Sequence, residues 1–346
     1  MNADRRRELQ IAEYSPRDDD EAVALERRCP QGGRLRLSFR RDAFRLRSEL
    51  YAEWQIWTAR IGGRLVGVTA SAIKTAALSG EPLRAGFAYD LRVDPAWRGA
   101  GIARRLMAVA HEWAFERAEL GYTYSVAGND VAERLISSFG ASRAGGYEYL
   151  ILPAWRELPC AEPDRIPVED AYERHVAAEG PFDLHTPPDF PLMRAGHVRS
   201  WRTAAGRCEA SCSAWNAGAI LGETLETAPL EIRIARRLSR APGLQRLRWP
   251  RIPDDGEAIR SWYLYDVTAQ SAAAARSLAR AVARDALAAG VDWLYWIAPS
   301  DAAWVPGVLA DAPKIASLRL PYVRMLQLRD APTHRVRRSY VDIRDV

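Results

Sequence analysis

Residues 89–105 read Tyr-Asp-Leu-Arg-Val-Asp-Pro-Ala-Trp-Arg-Gly-Ala-Gly-Ile-Ala-Arg-Arg, an apolar strand that passes through a glycine-containing turn into an amphipathic helix. Few folds accommodate that succession of elements. The strand is expected to end near Val93, where Pro95 breaks the ladder, and Gly99 and Gly101 let the backbone approach a ligand without Cβ clashes. Ile102, Leu106, Val109 and Trp113 then recur at 4-3-4 spacing, which places all four on one helix face. Gly121 is expected to stop that helix. The free N–H groups of its first turn lie beside the glycines, where roughly half a positive charge of macrodipole favours an anion. Arg98 adds a charge-assisted contact, so the turn suits a pyrophosphate.

Spacing decides among the nucleotide folds that use such turns. A dinucleotide fingerprint requires glycine where Arg104 stands, and no Gly-x-x-x-x-Gly-Lys-Ser/Thr phosphate loop is present. What is present is Arg98-x-x-Gly101-x-Ala103, preceded by Val93-Asp94-Pro95. This pattern resembles the acyl-CoA signature of the GCN5-related N-acetyltransferase (GNAT) superfamily. The likeness continues through a strand at Tyr122 to Val126, then Asn129, Ala132, Leu135 and Phe139-Gly140, and spans roughly residues 50 to 152.

The resemblance implies an α/β fold with a mixed sheet, the acyl-CoA N-acyltransferase fold, and acetyl transfer from acetyl-CoA to a primary amine by direct attack. It implies cofactor contacts from Leu91, Arg92 and Val93 at the strand end, from Arg98, Gly99, Ala100, Gly101, Ile102 and Ala103 in the turn, and from Asn129. The oxyanion is expected on a backbone N–H near Arg92 or Val93. An alkylammonium of pKa ~10.4 is only about a thousandth neutral near pH 7.4, which withholds ~4 kcal/mol of reactivity. Asp90 is the first candidate for the base that restores it, although an Asp in a strand can equally orient an arginine. Many members carry a Tyr after the Leu of the fourth helix as general acid, whereas here Ile136 follows Leu135. Ser137, Ser138, Tyr124, Tyr147 or water are the alternatives.

The upstream segment fits the same order. Leu9 to Tyr14 reads as a first strand, Asp18 to Arg28 and Arg41 to Glu53 as helices, and Trp54 to Arg60 and Arg64 to Ile73 as a hairpin about Gly62-Gly63. The acceptor pocket is expected between the first helices and that hairpin. There Arg34, Arg36, Arg40, Arg41, Arg45 and Arg47 alternate with Leu35, Leu37, Phe39 and Phe44, and Tyr51, Trp54 and Trp57 follow. Arginines lining the cleft would select an anionic acceptor, while most of the aromatics are expected in the core.

The second half repeats the pattern. Tyr263 to Val267, Ala272 to Ala289 with Leu278 and Val282 on one face and Gly290 as cap, Val291 to Ile297, and Asp301 to Ala310 give strand, helix, strand, helix. Tyr265-Asp266-Val267 matches Tyr89-Asp90-Leu91, but the turn after it, Thr268-Ala-Gln-Ser-Ala, has neither glycine nor arginine. We therefore expect two tandem copies: a catalytic domain at 1–155 that binds acyl-CoA and a degenerate domain at 156–346 without a phosphate loop, joined near Pro153 to Pro167.

With 48% hydrophobic and 27% charged residues over 346 positions, a folded chain with two cores is expected. Neither a secretory signal nor an apolar run of ~18 residues is found, so a cytoplasmic location without membrane association is expected. The cysteines at 29, 160, 208 and 212 show no metal spacing, and no metal is expected; Cys208 and Cys212 would neighbour each other on a helix. Net charge is +5, with lysine only at 74 and 314. The arginine cluster 233–251 includes Arg236, Arg237, Arg240, Arg246 and Arg248. It reads as a solvated helix face or as a docking surface for an acyl carrier protein, and with only Trp249 among its aromatics it does not suit nucleic acid. A small-molecule amine is the expected acceptor and a homodimer is an allowed state. A non-catalytic acyl-CoA sensor and an acyltransferase served by a carrier protein are the alternative functions.

Overall fold

A computed structural model of the chain describes residues 9–32, 35–154, 157–193, 198–205, 207–241, 251–299, 301–314, 317–329 and 336–346. In the first half, β1 (Gln10–Glu13), α1 (Asp19–Arg27), β2 (Arg36–Arg40), a 3-10 segment (Phe44–Leu50), β3 (Glu53–Ile61), β4 (Arg64–Leu78) and β5 (Glu81–Val93) lead to α2 (Ile102–Arg117), β6 (Leu120–Val126), α3 (Asp130–Ser137) and β7 (Ser142–Pro153). The second half starts with β8 (Asp164–Arg165), α4 (Val168–Glu179), β9 (Leu184–His185), β10 (Val198–Ala205), β11 (Cys208–Trp215) and β12 (Gly222–Thr227). It continues with α5 (Leu230–Ser239), β13 (Ala258–Ile259), β14 (Ser261–Ala269), α6 (Ala272–Ala288), β15 (Trp293–Pro299), α7 (Val305–Leu309) and β16 (Leu318–Leu328).

Most strands join one mixed sheet of order β1-β3-β4-β5-β6-β16-β7-β15-β14-β11-β10-β8, with β9 against β4. Each half contains one parallel pair that opens into a V. β5 and β6 pair only at Ala85↔Leu120, Gly86↔Gly121 and Phe87↔Tyr122, and β14 and β15 only from Ser261↔Trp293 to Leu264↔Trp296. The last strands are exchanged. β16, from the end of the chain, pairs with β6, and β7 pairs with β15, so each half is closed by a strand of the other. A three-stranded sheet, β13-β12-β2, also combines the halves.

Local sequence explains most elements. Gly62 and Gly63 take φ +55° and +79°, the left-handed pair of a type I′ hairpin turn. Ile102, Leu106 and Ala110 of α2 are buried against Trp57, Ala59 and Val66, with Trp113 set edge-on to Trp57 at 5.7 Å. α6 buries Leu278 and Val282 against Trp201, Trp262 and Trp296.

Three expectations are corrected. α2 ends at Arg117 with Ala118 already extended, and Gly121 lies in β6, where a Cβ would stand 2.8 Å from the Phe115 ring. The segment expected as a helix over Arg41 to Glu53 is a 3-10 segment limited to 44–50. It follows a strand, β2, because the alternation of Leu37 and Phe39 with arginines has period two and finds a partner in β12. Cys208 and Cys212 lie on β11 rather than on a helix.

Candidate active site

β5 does not run straight through the V. Between Val68↔Arg92 and Ala70↔Tyr89 its register with β4 shifts by one, so Asp90 and Leu91 together oppose Thr69 in a β-bulge. Asp90 sits at φ +52°, an unusual conformation for a residue with a side chain. The same bulge recurs on β14, where Asp266 at φ +50° and Val267 lie between Ser211↔Thr268 and Ser213↔Tyr265. Beyond the bulge, β5 diverges from β6, and Thr123 Oγ1 donates to the Ala88 carbonyl at 2.7 Å near the apex of the V.

The turn after β5 is built as its glycines require. Asp94 accepts from Ala96 N at 3.0 Å and is held by Arg28 and Arg64, both at 3.0 Å, which fixes the exit of the strand. Gly99 and Gly101 both take φ +78°, and nothing lies within 4 Å of where a Cβ would stand. Gly101 is the N-cap of α2 and offers no side-chain acceptor, so the first amides of a 16-residue helix open toward solvent at the mouth of the V. Arg98 is exposed and its Nε donates to the Val93 carbonyl at 3.3 Å. Leu91, Arg92, Val93, Ala100, Ile102 and Ala103 thus lie along one continuous path from bulge to helix. Asn129 stands at the far end of β6, where its side chain accepts from Ala132 N at 3.2 Å and caps α3.

The corresponding helix start in the second half, that of α6, is covered. Gly307 of α7 packs against the first turn of α6, where a Cβ would meet the Ala272 carbonyl oxygen at 2.3 Å and Ala275 Cβ at 2.6 Å. Ser271 caps α6 with its own side chain.

The carboxylate of Asp90 is buried between two guanidiniums, Arg41 at 2.9 Å and Arg47 at 3.0 Å. Arg41 is held on its other side by Glu26, at 2.6 Å. Burial alone would raise the Asp90 carboxyl, but Arg41, Arg47 and Arg92 outweigh it and hold the group well below the ordinary carboxylate range. A carboxylate held so gains little by accepting a proton. Asp266, in the equivalent bulge, has no arginine and neither of its oxygens a hydrogen-bond partner among the described residues. Burial pushes it up to about 8, with Tyr340 drawing it down and Asp342 adding to the rise.

Arg47 also reaches the end of the chain, donating to the Val346 oxygen at 3.2 Å. Residues 342–345 are buried against the first half: Lys74 pairs with Asp342 at 2.6 Å and Asp345 at 2.8 Å, and Tyr122 donates to Asp345 at 2.6 Å. Tyr51 donates to the Arg344 carbonyl at 2.7 Å. Of the arginines expected in the acceptor pocket, only Arg41 and Arg47 converge on the site. Arg45 pairs with Asp19 and Glu49, Arg36 and Arg40 are exposed, and Arg34 lies outside the described residues. Trp57 belongs to the opposite face of the sheet, with α2.

Sequence reasoning missed the aromatic wall of this face. Tyr124, Tyr147, Tyr322, Tyr149, Tyr263 and Tyr295 pack in succession at centroid separations of 5.0 to 6.0 Å across β6, β7, β16, β14 and β15. Their strands are brought together only by the exchange. Tyr124 accepts from Arg324, and burial pushes its hydroxyl up to about 12 despite that partner. In the 233–251 cluster, Arg236 pairs with Asp255, Arg240 with Asp254 and Arg251 with Asp292, whereas Arg246, Arg248 and Trp249 lie outside the described residues. Among the described residues no group of three or more metal-ligating side chains occurs, and no helix is long and apolar enough to cross a membrane.

Residues 20–141 match the model of the Acetyltransferase (GNAT) family. No curated protein matches the chain by sequence. Among solved structures, Saccharomyces cerevisiae N-myristoyltransferase with bound myristoyl-CoA is similar at TM-score 0.58 and 10% identity, over 92% of this chain and 82% of that one. A putative acetyltransferase from Pyrococcus horikoshii is similar at TM-score 0.55 and 10% identity, over 98% and 95%. A tandem GNAT protein from the clavulanic acid biosynthesis pathway is similar at TM-score 0.51 and 15% identity, over 94% and 100%. The glycine turn and the bulged V lie inside the matched segment, so residues 20–141 form a GNAT-family domain, and a second V of the same construction lies beyond it.

Proposed function

We propose that the chain is an acyl-CoA-dependent N-acyltransferase that moves an acetyl group to a primary amine of a small acceptor. The observation that carries this reading is the open N-terminus of α2, whose left-handed Gly99 and Gly101 sit where the V of β5 and β6 widens. A pyrophosphate there is met by free amides and by Arg98, and the pantetheine arm runs into the V as a substitute strand beside Leu91, Arg92 and Val93. The thioester then lies at the bulge, whose irregular pairing frees backbone N–H groups for the developing oxyanion. Asn129 flanks the arm from the end of β6.

In this reading Asp90 is a positioning residue. It fixes Arg41 and Arg47 under the bulge, while the tandem arrangement of 1–155 and 156–346 lets the second half wall the acceptor cleft. Arg41, Arg47 and Arg92 share the carboxylates of Glu26 and Asp90, so a preference for anionic acceptors rests on the one positive charge left over from that cluster. Titration calorimetry with acetyl-CoA, followed by a thiol-release assay over a panel of primary amines, tests the proposal. Binding at micromolar concentration and amine-dependent release of CoA support it, and failure to bind acetyl-CoA overturns it.

A further inference from the structure

β12 belongs to the second half, yet its partner is β2 of the first, with Glu223 directly opposite Phe39. Directly opposed residues of an antiparallel pair project from the same face, and Phe39 lies 5.8 Å below the guanidinium of Arg92 on the cofactor strand. Glu223 is therefore carried to the same face as Phe39, whose ring lies under the guanidinium that follows the bulge. There it faces the tyrosine array, where the hydroxyls of Tyr263 and Tyr295 draw its carboxyl down. Its Oε2 is shielded from solvent and has no hydrogen-bond partner among the described residues. A buried carboxylate oxygen left empty is costly unless a donor visits it.

Resting on the acyltransferase reading above, we infer that Glu223 is the proton acceptor for the acceptor amine, which enters as its ammonium between the Glu223 carboxylate and the rings of Tyr149, Tyr263, Tyr295 and Tyr322. Aromatic faces and a carboxylate together form a receptor for a compact cation. The groups facing Glu223 are Tyr263 on β14, Tyr295 on β15, Tyr149 on β7 and Tyr322 on β16, and Arg47 and Arg92 act on Tyr322 in turn. Its neighbour Glu226 is already engaged by Ser38. Burial pushes the Glu223 carboxyl up to about 7, against the pull of Tyr295 and Tyr263, which suits a base working near neutral pH.

The reaction balances as follows. The ammonium gives one proton to Glu223 Oε2, and the neutral nitrogen forms the C–N bond at the thioester carbonyl. The C–S bond breaks with its electron pair on sulfur, the second N–H proton neutralises the thiolate, and Glu223 returns its proton to water.

The test is the pH profile of kcat/KM for Glu223→Gln, measured by release of CoA with a panel of primary monoamines, diamines and amino acids, alongside acetyl-CoA affinity. The expected result is an acid limb near pH 7 in the wild type that moves to the acceptor's own amine pKa in the variant. The rate near pH 7.4 falls by about 10²- to 10⁴-fold, with acetyl-CoA affinity unchanged. Tyr295→Phe, which removes one donor and keeps the ring, moves the limb to higher pH and supplies the test should Glu223→Gln fail to fold. A Glu223→Gln enzyme with the wild-type profile overturns the assignment alone. A wild type that binds acetyl-CoA and acylates no amine in the panel overturns the acyltransferase reading and the assignment together.

Discussion

Replacing Asp90 by Asn separates a positioning carboxylate from a base, because the two roles predict opposite pairs of observations. The side chain is buried between Arg41 and Arg47 at 2.9 and 3.0 Å. Removing one partner of a buried pair leaves an uncompensated charge and costs about 3 to 5 kcal/mol. With an unfolding entropy of roughly 2.1 cal/mol/K per residue, 346 residues amount to about 0.7 kcal/mol/K, so the loss lowers Tm by about 4 to 7 °C. The sheet is continuous through both halves, so the chain melts as one unit. Because the Asp90 carboxyl is depressed in the folded state, its contribution is present above the unfolded value and is lost only as pH falls through the folded one. Between about pH 6 and 9 the stability deficit is therefore constant and the acid limb of kcat/KM stays in place. Calorimetric melts and rate profiles of the purified variant check both statements. An unchanged Tm together with a flattened acid limb would make Asp90 the base and refute the argument.

Gly101→Glu should weaken acetyl-CoA binding by more than tenfold in calorimetry, since it places a carboxylate at the helix N-terminus, while Gly101→Ala carries only the left-handed backbone cost of about 1 to 2 kcal/mol. Lys74→Met leaves Asp345 with the hydroxyls of Tyr122 and Tyr51 in place of a direct cation, while Asp342 keeps Arg344, and should destabilise the chain by about 3 kcal/mol in denaturant melts. Faster amide exchange at Tyr340 and Asp345 should accompany that loss. For Asp266 the sign reverses: its folded pKa is raised to about 8, so wild-type stability falls as pH rises from the unfolded value toward 8. Asp266→Asn should flatten that fall, and melts near pH 5 and pH 8.5 compare the two proteins directly.

The cofactor side of the site was legible in the sequence because its determinants are local. Val93-Asp94-Pro95, Arg98, Gly99 and Gly101 fix a strand end, a turn and a helix start within a dozen residues, and the structure gives both glycines the positive φ that their identity implies. The hairpin at Gly62-Gly63 was legible for the same reason. The acceptor side was not, because its residues meet through pairings distant in sequence. Glu223 reaches the face of Phe39 only through the register of β12 with β2, and Tyr322 faces Tyr147 only because β16 inserts between β6 and β7. No periodicity announces such contacts. The residue-by-residue match of Tyr265-Asp266-Val267 to Tyr89-Asp90-Leu91 was the one long-range signal available, and it points to a shared bulge.

That shared bulge serves a different end in each half. Both Asp90 and Asp266 stand at φ near +50°, and such a conformation is kept only where its surroundings enforce it. In the first half the enforcement serves an open V: Arg41 and Arg47 hold the carboxylate ionised, and the helix N-terminus beside it is free. In the second half α7 covers the corresponding helix start and Asp266 has no cation, so the same backbone there closes the sheet around Tyr265 and Tyr340. The second half is under a constraint of its own. It supplies β16 to close the first sheet and β12 to pair with β2, so its loss would open the site as well as the fold. For that reason a chain truncated after β7 is expected to fail in folding, since β6 and β7 would each lose β16, the strand that joins them.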